Sequence, residues 1–466
     1  MTPSPRLLAT LAAALLLAGC ASVPEPQVQR QQVLQTAGDR IGVTGAAGTA
    51  RAQLPAGPLD ADTAVRIALA RNPALDASLA ALSLSEADRA QAAALPNPHF
   101  AFSRLREGQT VEFERLLRFN VLDLFTLPWR ARLAGEQTAI ARLQAAQEVI
   151  RVAADTRKAW VQAVAAAQTA RYLRDAMEAA EAGAELARRM VGAGNFSRLQ
   201  QAREQSTMAE VTAQLARAEQ QAVAARERLT RLMGLWGAEA AAYTLADRLP
   251  DLPAALAEPA DIEATAIRER LDVRAARDQA LQTAGQLGYA RATALVDGVE
   301  LALMRNTTFD NAAGHRDTTR GWELELGLPL FDQGQARTAR ADATLRLAQA
   351  RLRDTAVRAR SEAREAWHGW RTAYDLARHY RDEVVPLRRF ISDETLLRYN
   401  GMLASVWDLL AETRNHVTAV TGAIAAQRDF WIADTDLRTA LTGTSPGALA
   451  DLAGGAAAPA NEAKGH

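Results

Sequence analysis

Residues 321–335 read GWELELGLPLFDQGQ, and the first part alternates strictly: Trp322, Leu324, Leu326 and Leu328 fall on one face, Glu323, Glu325 and Gly327 on the other. A period of two is that of a β-strand. Such a strand, apolar on one side and acidic on the other, stands out in a chain otherwise rich in Ala, Arg and Leu at helical spacing. Three other stretches share its pattern. VDGVELALMRN (296–306) alternates at Val299, Leu301 and Leu303 around Glu300 and Ala302. PHFAFSRLREG (98–108) and QTVEFERLLRFNV (109–121) form a similar pair earlier in the chain. In the latter, Val111, Phe113, Leu117 and Phe119 alternate with Glu112, Glu114 and Arg118, and Arg115 interrupts the apolar side.

These strand pairs belong to an internal repeat, and repeats decide folds. ARNPALDASLAA (70–81) corresponds to RERLDVRAARDQ (268–279), each opening a helix that runs into two strands. After Pro128 and after Gly334 a long helix is expected, with Ala159-Trp160 and Ala366-Trp367 at similar depth. Each ends at a Gly-containing turn, GAGNFS (192–197) or YNGMLAS (399–405), from which a shorter helix returns. The long patterns, 129–191 and 335–399, correspond to roughly 95 Å of helix at 1.5 Å per residue. Pro386 should kink the second. Helices of that length exceed a compact core and imply a tube or coiled coil. The repeats span 60–240 and 261–442, with strands at about 98–121 and 296–331. A Pro-containing segment, 241–260, links them, and 443–466 is a small-residue tail. Asp60 and Asp62 are both plausible first helix caps.

The chain of 466 residues carries 54 basic and 54 acidic groups, which argues against a nucleic-acid partner. Arg6 precedes the apolar run LLATLAAALLLAG (7–19), too short to span a bilayer comfortably, and Cys20 follows. This is the layout of a secretory signal peptide over 1–19. Leu17-Ala18-Gly19-Cys20 resembles a bacterial lipobox, so Cys20 is the expected site of diacylation. Residues 20–59, rich in Gln, Gly, Pro and Ala, read as an extended lipid-anchored tether. With a single Cys the exported chain has no internal disulfide available. By the sorting pattern of such lipoproteins, Ala21 directs it to the outer membrane.

Ten-residue strands with one apolar and one polar face suit a bilayer-spanning barrel, which in lipid must close. Four strands are too few, whereas three copies would give twelve strands around a watery lumen. The expected fold is therefore mainly α, with four strands per subunit contributing to a trimeric twelve-stranded β-barrel. Trp322, Leu324, Leu326 and Leu328 would face lipid, and Glu323 and Glu325 the lumen.

At this point the sequence resembles the TolC-like outer-membrane factors, exit ducts of tripartite efflux pumps and type I secretion. The resemblance rests on LDVRAARDQAL (271–281), GLPLFDQGQARTARADATLRLAQARL (327–352), YNGMLASVWDLLAETR (399–414) and AGNFSRLQQARE (193–204), in order in both halves over about 60–442. It implies a homotrimer, a periplasmic adaptor protein and an inner-membrane transporter as partners, and passive export. It further implies that Gly192, Gly194, Asn195, Ser197, Gly401 and Ser405 form adaptor-facing tips, and that Asp408 lines a periplasmic constriction. Tyr399 matches a tyrosine that helps hold the tips shut. The chain departs from the family pattern at Ala404, where an arginine lock can occur, at Ala411, where a second acid can occur, and at Gln200, where Tyr399 would find an acid. Glu412 is a neighbouring substitute, so the lock is weaker or built differently.

Other signals carry less. Glu365 and His368 form a lone Glu-x-x-His, whereas a di-iron bundle needs two such motifs plus further carboxylates. Gly192-x-Gly194 follows no strand and is no nucleotide loop. Trp160 and Trp367 read as packing anchors. No nucleophile–base arrangement, metal site or cofactor motif is recognisable, so no enzymatic activity is expected. The competing reading is a periplasmic helical-hairpin adaptor or scaffold lipoprotein; it has no use for lipid-facing strands or for the duplication.

Overall fold

The structure is a computed structural model and describes residues 23–42, 54–296, 298–310 and 312–447. The expected signal peptide, Cys20 and residues 448–466 lie outside the described residues. The first half consists of α1 (Pro26–Ala37), β1 (Pro58–Leu59), α2 (Ala61–Arg71), α3 (Pro73–Ala93), β2 (His99–Glu107), β3 (Thr110–Asn120), α4 (Val121–Gly192) and α5 (Arg198–Leu232). The second consists of β4 (Thr244–Leu245), α6 (Ile262–Glu269), α7 (Leu271–Ala292), β5 (Val299–Asp310), β6 (His315–Leu326), α8 (Gln335–His379), α9 (Val385–Asn400) and α10 (Val406–Arg438). From α2 and from α6 onward, the same order of two helices, two strands, a long helix and a returning helix occurs twice.

Local chemistry sets the boundaries. Asp60, rather than Asp62, caps α2: its carboxylate accepts from the Thr63 backbone N–H at 2.8 Å and from the Thr63 hydroxyl at 2.7 Å. Asn120 ends β3 and at once caps α4, its side-chain oxygen accepting from the Asp123 N–H at 3.0 Å. With that cap in place the helix starts at Val121 and runs through Pro128, instead of starting after it as the sequence suggested. The result is 72 residues, roughly 108 Å at 1.5 Å per residue. Pro386 acts as expected of a breaker, but the irregularity lies upstream. Tyr380–Val384 form a π turn between α8 and α9, and Pro386 sits in the first turn of α9, where its missing N–H is least costly.

The tether expectation is corrected over part of its length. Pro26–Ala37 is a helix, opened by a proline and held by packing. Gln29, 2% exposed, accepts from the Ser83 hydroxyl at 2.6 Å and donates to the Pro24 carbonyl at 2.9 Å. Composition alone did not reveal this because the stabilising partner is fifty residues away.

The chain divides into two compact units. One comprises described residues within 23–33, 78–145 and 273–355 and contains the four-stranded sheet. In it, Gly334 precedes α8 at φ 73°, with the Ala294 carbonyl 2.7 Å from where a Cβ would stand, so only glycine fits that turn. The other comprises described residues within 34–77, 146–272 and 356–447. It contains the short parallel pair β1–β4 and two apolar clusters. The first gathers Leu59, Ile67, Trp160, Leu229, Met233 and Tyr243; the Trp160 indole donates to the Leu59 carbonyl at 2.8 Å. The second gathers Trp370, Tyr374, Phe430 and Leu437 over an alanine seam, Ala363, Ala366, Ala373 and Ala377. Small residues at helical spacing let α8 approach its neighbours closely. Here the buried tryptophan is Trp370, bonded to Asp434 at 3.2 Å, while Trp367 packs only at the rim.

The same unit buries a charge that no sequence pattern announces. Arg270, 1% exposed, reaches Asp272 at 2.6 Å and Glu362 at 2.8 Å, and Ser445 donates to the far oxygen of Glu362 at 2.9 Å. Burial works against the Arg270 charge, but its two carboxylates outweigh burial and hold its pKa above the ordinary value.

Candidate functional site

Two places concentrate the functional expectations: the sheet and the helical turns. The sheet order is β2-β3-β5-β6, every pair antiparallel. Register fixes which side chains share a face, because directly opposed residues point the same way. Leu326, Leu324 and Trp322 oppose Val299, Leu301 and Leu303, and the last two oppose Phe119 and Leu117 on β3. Phe100 on β2 completes the apolar face. Most of these side chains are exposed in the single chain, among them Trp322 at 70% and Phe100 at 66%. Glu323 and Glu325 lie on the opposite face, opposed to Ala302 and Glu300. There Arg118 pairs with Glu300 at 3.3 Å.

The fourth strand is displaced from its expected bounds. It occupies His315–Leu326 instead of 321–331, with a turn after Asp310. Thr307 and Thr308 pair with Thr318 and Asp317, so the polar stretch between the two expected strands continues the ladder. At the other end Gly327 and Pro329 cannot extend it, and Leu330 N–H turns back to the Leu328 carbonyl at 2.8 Å. Leu328 therefore lies outside the strand, though it, Leu330 and Phe331 remain exposed and extend the apolar surface.

The two turns are built alike. Gly194 takes φ 77° and Asn195 N–H reaches the Met190 carbonyl at 2.9 Å, closing α4 with a left-handed residue. In the second turn that role belongs to Met402 at φ 61°, not to Gly401, whose φ is −82°. A non-glycine residue there is strained by about 1–2 kcal/mol, and Met402 is 94% exposed. After each turn comes a capping box. Ser197 and Gln200 exchange bonds of 2.7 and 3.2 Å. Ser405 and Asp408 do the same: Asp408 Oδ2 accepts from the Ser405 N–H at 2.9 Å and hydroxyl at 2.8 Å, and Asp408 N–H donates to Ser405 Oγ at 3.3 Å. Gln200 and Asp408 are thus equivalent in the two repeats. The Ser405 bonds hold the Asp408 carboxyl below its ordinary pKa. The signal for both boxes, Ser-x-x-Gln and Ser-x-x-Asp before an apolar run, was present in the sequence. Tyr399 lies at the end of α9, 36% exposed, and makes no side-chain hydrogen bond to Gln200.

Contacts between the hairpins are made by residues the sequence did not single out for them. Phe196 stacks on Trp407 with centroids 4.8 Å apart. Arg414 donates to the Thr207 hydroxyl at 2.6 Å and lies 3.9 Å from Glu204, which is 4% exposed. Burial raises the Glu204 pKa, only partly offset by Arg414. Within the second hairpin, Glu412 pairs with Arg388 at 3.5 Å.

Two repeats in one chain, each giving two strands to a single four-stranded antiparallel sheet and running on into long helices, match the TolC-like outer-membrane channel fold. Solved structures with that fold superpose over most of the chain. The CmeC outer membrane channel of Campylobacter jejuni aligns with a TM-score of 0.70 at 15% identity, covering 83% of this chain and 87% of that one. A membrane protein of Pseudomonas aeruginosa aligns at 0.69 and 20% identity, covering 84% and 98%. The outer membrane protein VceC of Vibrio cholerae aligns at 0.66 and 16% identity, covering 82% and 96%. No protein-family model and no curated protein sequence matches the chain. Among the described residues no helix is long and apolar enough to cross a membrane.

Proposed function

We propose that the chain is the outer-membrane exit duct of a tripartite efflux pump or type I secretion system, a passive channel assembled from three copies. The observation that carries this reading is the two-faced sheet with open edges. Its outer strands β2 and β6 leave backbone groups unpaired, and one face is apolar and exposed. In lipid such edges must be paired. Because β2 and β6 run in opposite directions, β6 of one copy can pair with β2 of the next in the same antiparallel sense used within the sheet. Two copies would give eight strands, a barrel filled by its own side chains, whereas twelve leave an aqueous lumen. Trp322, Leu324 and Leu326 then face lipid, and Glu323, Glu325 and Glu300 face water.

At the other functional place, the turns around Gly192, Gly194, Asn195, Ser197, Gly401 and Ser405 face a periplasmic adaptor that joins the duct to an inner-membrane transporter. The exposed Met402, Leu403 and Leu199 supply apolar surface for that docking. Asp408, Tyr399 and Gln200 lie at the constriction, and acylation of Cys20 anchors the chain to the outer membrane. Planar-bilayer recording on protein extracted from outer membranes tests the reading. Discrete single-channel currents from a heat-sensitive trimer are expected. A non-conducting monomer, released when the acyl chains are removed, would overturn it.

A further inference from the structure

The turn-side half of the sheet carries a charge pattern that a water-filled duct does not require. Three successive cross-strand rows lie beyond the apolar band on the same face: Phe102–Arg115–Arg305–Arg320, then Arg104–Phe113–Thr307–Thr318, then Arg106–Val111–Phe309–Arg316. These rows contain six arginines and no carboxylate. On the opposite face the matching rows hold Glu107, Glu112, Glu114, Asp310 and Asp317 and no arginine. Charge is therefore sorted completely through this part of the sheet. Arg115, which looked like an isolated interruption of an apolar face, is the centre of a patch.

Among the described residues, no carboxylate on this face offsets the patch. Arg115, Arg305 and Arg320 are directly opposed on adjacent strands, an arrangement that like charges destabilise. What they touch is neutral. Arg115 reaches the Thr307 hydroxyl at 3.4 Å and Arg106 the Gly108 carbonyl at 3.3 Å. Arg104 and Arg316 lie over the Phe113 and Phe309 rings at 5.8 and 5.3 Å. Five of the six arginines are exposed and Arg115 is half-buried. Closure of the barrel supplies no counter-charge on this face either, since β2 offers only Phe100, Phe102, Arg104 and Arg106 to a neighbouring β6. An anion from outside the protein would balance the patch.

Its chemistry follows from what adjoins the patch. Arg320 is two residues from Trp322 on the same face, where the apolar band of Leu303, Leu301, Leu324 and Leu326 begins. A molecule matching both surfaces has an apolar body and an anionic head. Guanidinium forks pair with phosphate oxygens in a bidentate way. We propose that this arginine face binds lipids whose phosphate headgroups carry net negative charge, in the membrane leaflet at the hairpin-turn end of the sheet. The inference rests on the duct reading, which makes the apolar face the lipid-facing one.

The test uses the full-length protein in vesicles of equal parts phosphatidylcholine and phosphatidic acid, with the lipids retained by the released assembly counted by native mass spectrometry. Phosphatidic acid should be retained in preference, and each arginine removed should lower that preference roughly fivefold. Arg115→Gln/Arg305→Gln/Arg320→Gln should therefore lower it roughly a hundredfold, while Arg118→Gln on the opposite face should leave it unchanged. Should the triple variant not assemble, Arg305→Gln and Arg316→Gln, both at exposed positions, carry the same comparison singly. Excess inorganic phosphate should not displace the lipid; displacement would show an ion site and overturn the proposal. So would equal retention of the two lipids, or equal loss of preference in Arg118→Gln, or replacement of lipid by a bound protein. A parent protein that enters no vesicle and conducts no current fails the duct reading itself, whereas one that conducts yet retains both lipids equally fails only this inference.

Discussion

Exchanging one residue on each face of β6 separates the proposed barrel from a soluble hairpin. Leu324 lies in the middle of the apolar band, opposed to Leu301 and through it to Phe119. Its neighbour Glu323 points the other way, in line with Ala302 and Arg118. In a membrane barrel, Leu324→Arg puts a cation near the bilayer midplane at about 2–4 kcal/mol per subunit. At 1.36 kcal/mol per factor of ten, that is roughly 30- to 1,000-fold against insertion for each copy, and a trimer carries it three times. Glu323→Arg introduces the same side chain into the proposed aqueous lumen, near Arg118 and Glu325, where water screens it and the cost is within about 1 kcal/mol. The assay is the heat-sensitive trimer band from purified outer membranes, with urea resistance as a second readout. Leu324→Arg should lose the trimer and Glu323→Arg keep it with altered ion preference. Equal trimer yields would refute the assignment of faces, and with it the barrel.

Removing Arg270 should be among the most damaging single changes in the helical unit. Arg270→Met removes the buried cation that Asp272 and Glu362 share, a loss of about 3–5 kcal/mol in urea unfolding that Arg270→Met/Glu362→Gln should partly restore. Glu204→Gln should be neutral or mildly stabilising, since the carboxylate it replaces is buried and poorly paired. Glu204 has a raised folded pKa, so the folded state holds the extra proton and stability falls as pH rises from 4.5 through that raised value. The variant should lose that part of the slope in thermal melts recorded across acid pH. Cys20→Ser should eliminate palmitate labelling while leaving assembled trimer in the membrane fraction; a wholly soluble monomer would count against the strands as the main attachment.

How much of this was readable from the sequence depended on whether the cause was local. The two-faced strands, the turns and the duplication are periodic patterns, and periodicity survives without knowledge of partners. Asp60 was among the caps foreseen because capping is a contact between residues three apart. The start of α4 was missed because Asn120, ending a strand, outweighed Pro128. The outer half of β6 was missed because HRDTTRG has no apolar face, and only its pairing to Thr307–Asp310 makes it a strand. The helix Pro26–Ala37, the buried Arg270 and the Phe196–Trp407 stack all depend on residues far apart in sequence, and no spacing rule could announce them. Arg115 shows the same limit from the other side: one residue looked like noise until register placed Arg305 and Arg320 beside it.

Asp408 has two duties that compete, and the competition is measurable. As the partner of Ser405 it completes a capping box; as a constriction residue it would present charge to the lumen. Both bonds from Ser405 fall on Oδ2, so Oδ1 stays available to a cation. The equivalent box in the first repeat uses neutral Gln200, so a trimer would present three charges at these positions and not six. The Ser405 hydroxyl bond, the larger influence, and the Ser405 N–H bond keep the carboxyl below its ordinary 3.8. The cap's contribution to folding is thus complete above 3.8 and is lost as pH falls through the lowered folded value. Repulsion among three ring members acts in the opposite direction. Ser405→Ala removes the larger lowering influence and leaves the repulsion, so cation preference in planar-bilayer recordings should titrate away at higher pH than in the parent. Asp408→Asn should show no such titration and a weaker block by divalent cations at every pH. If parent and Ser405→Ala lose selectivity at the same pH, the capping bond does not govern the ring, and Asp408 does not line the constriction in its capped form.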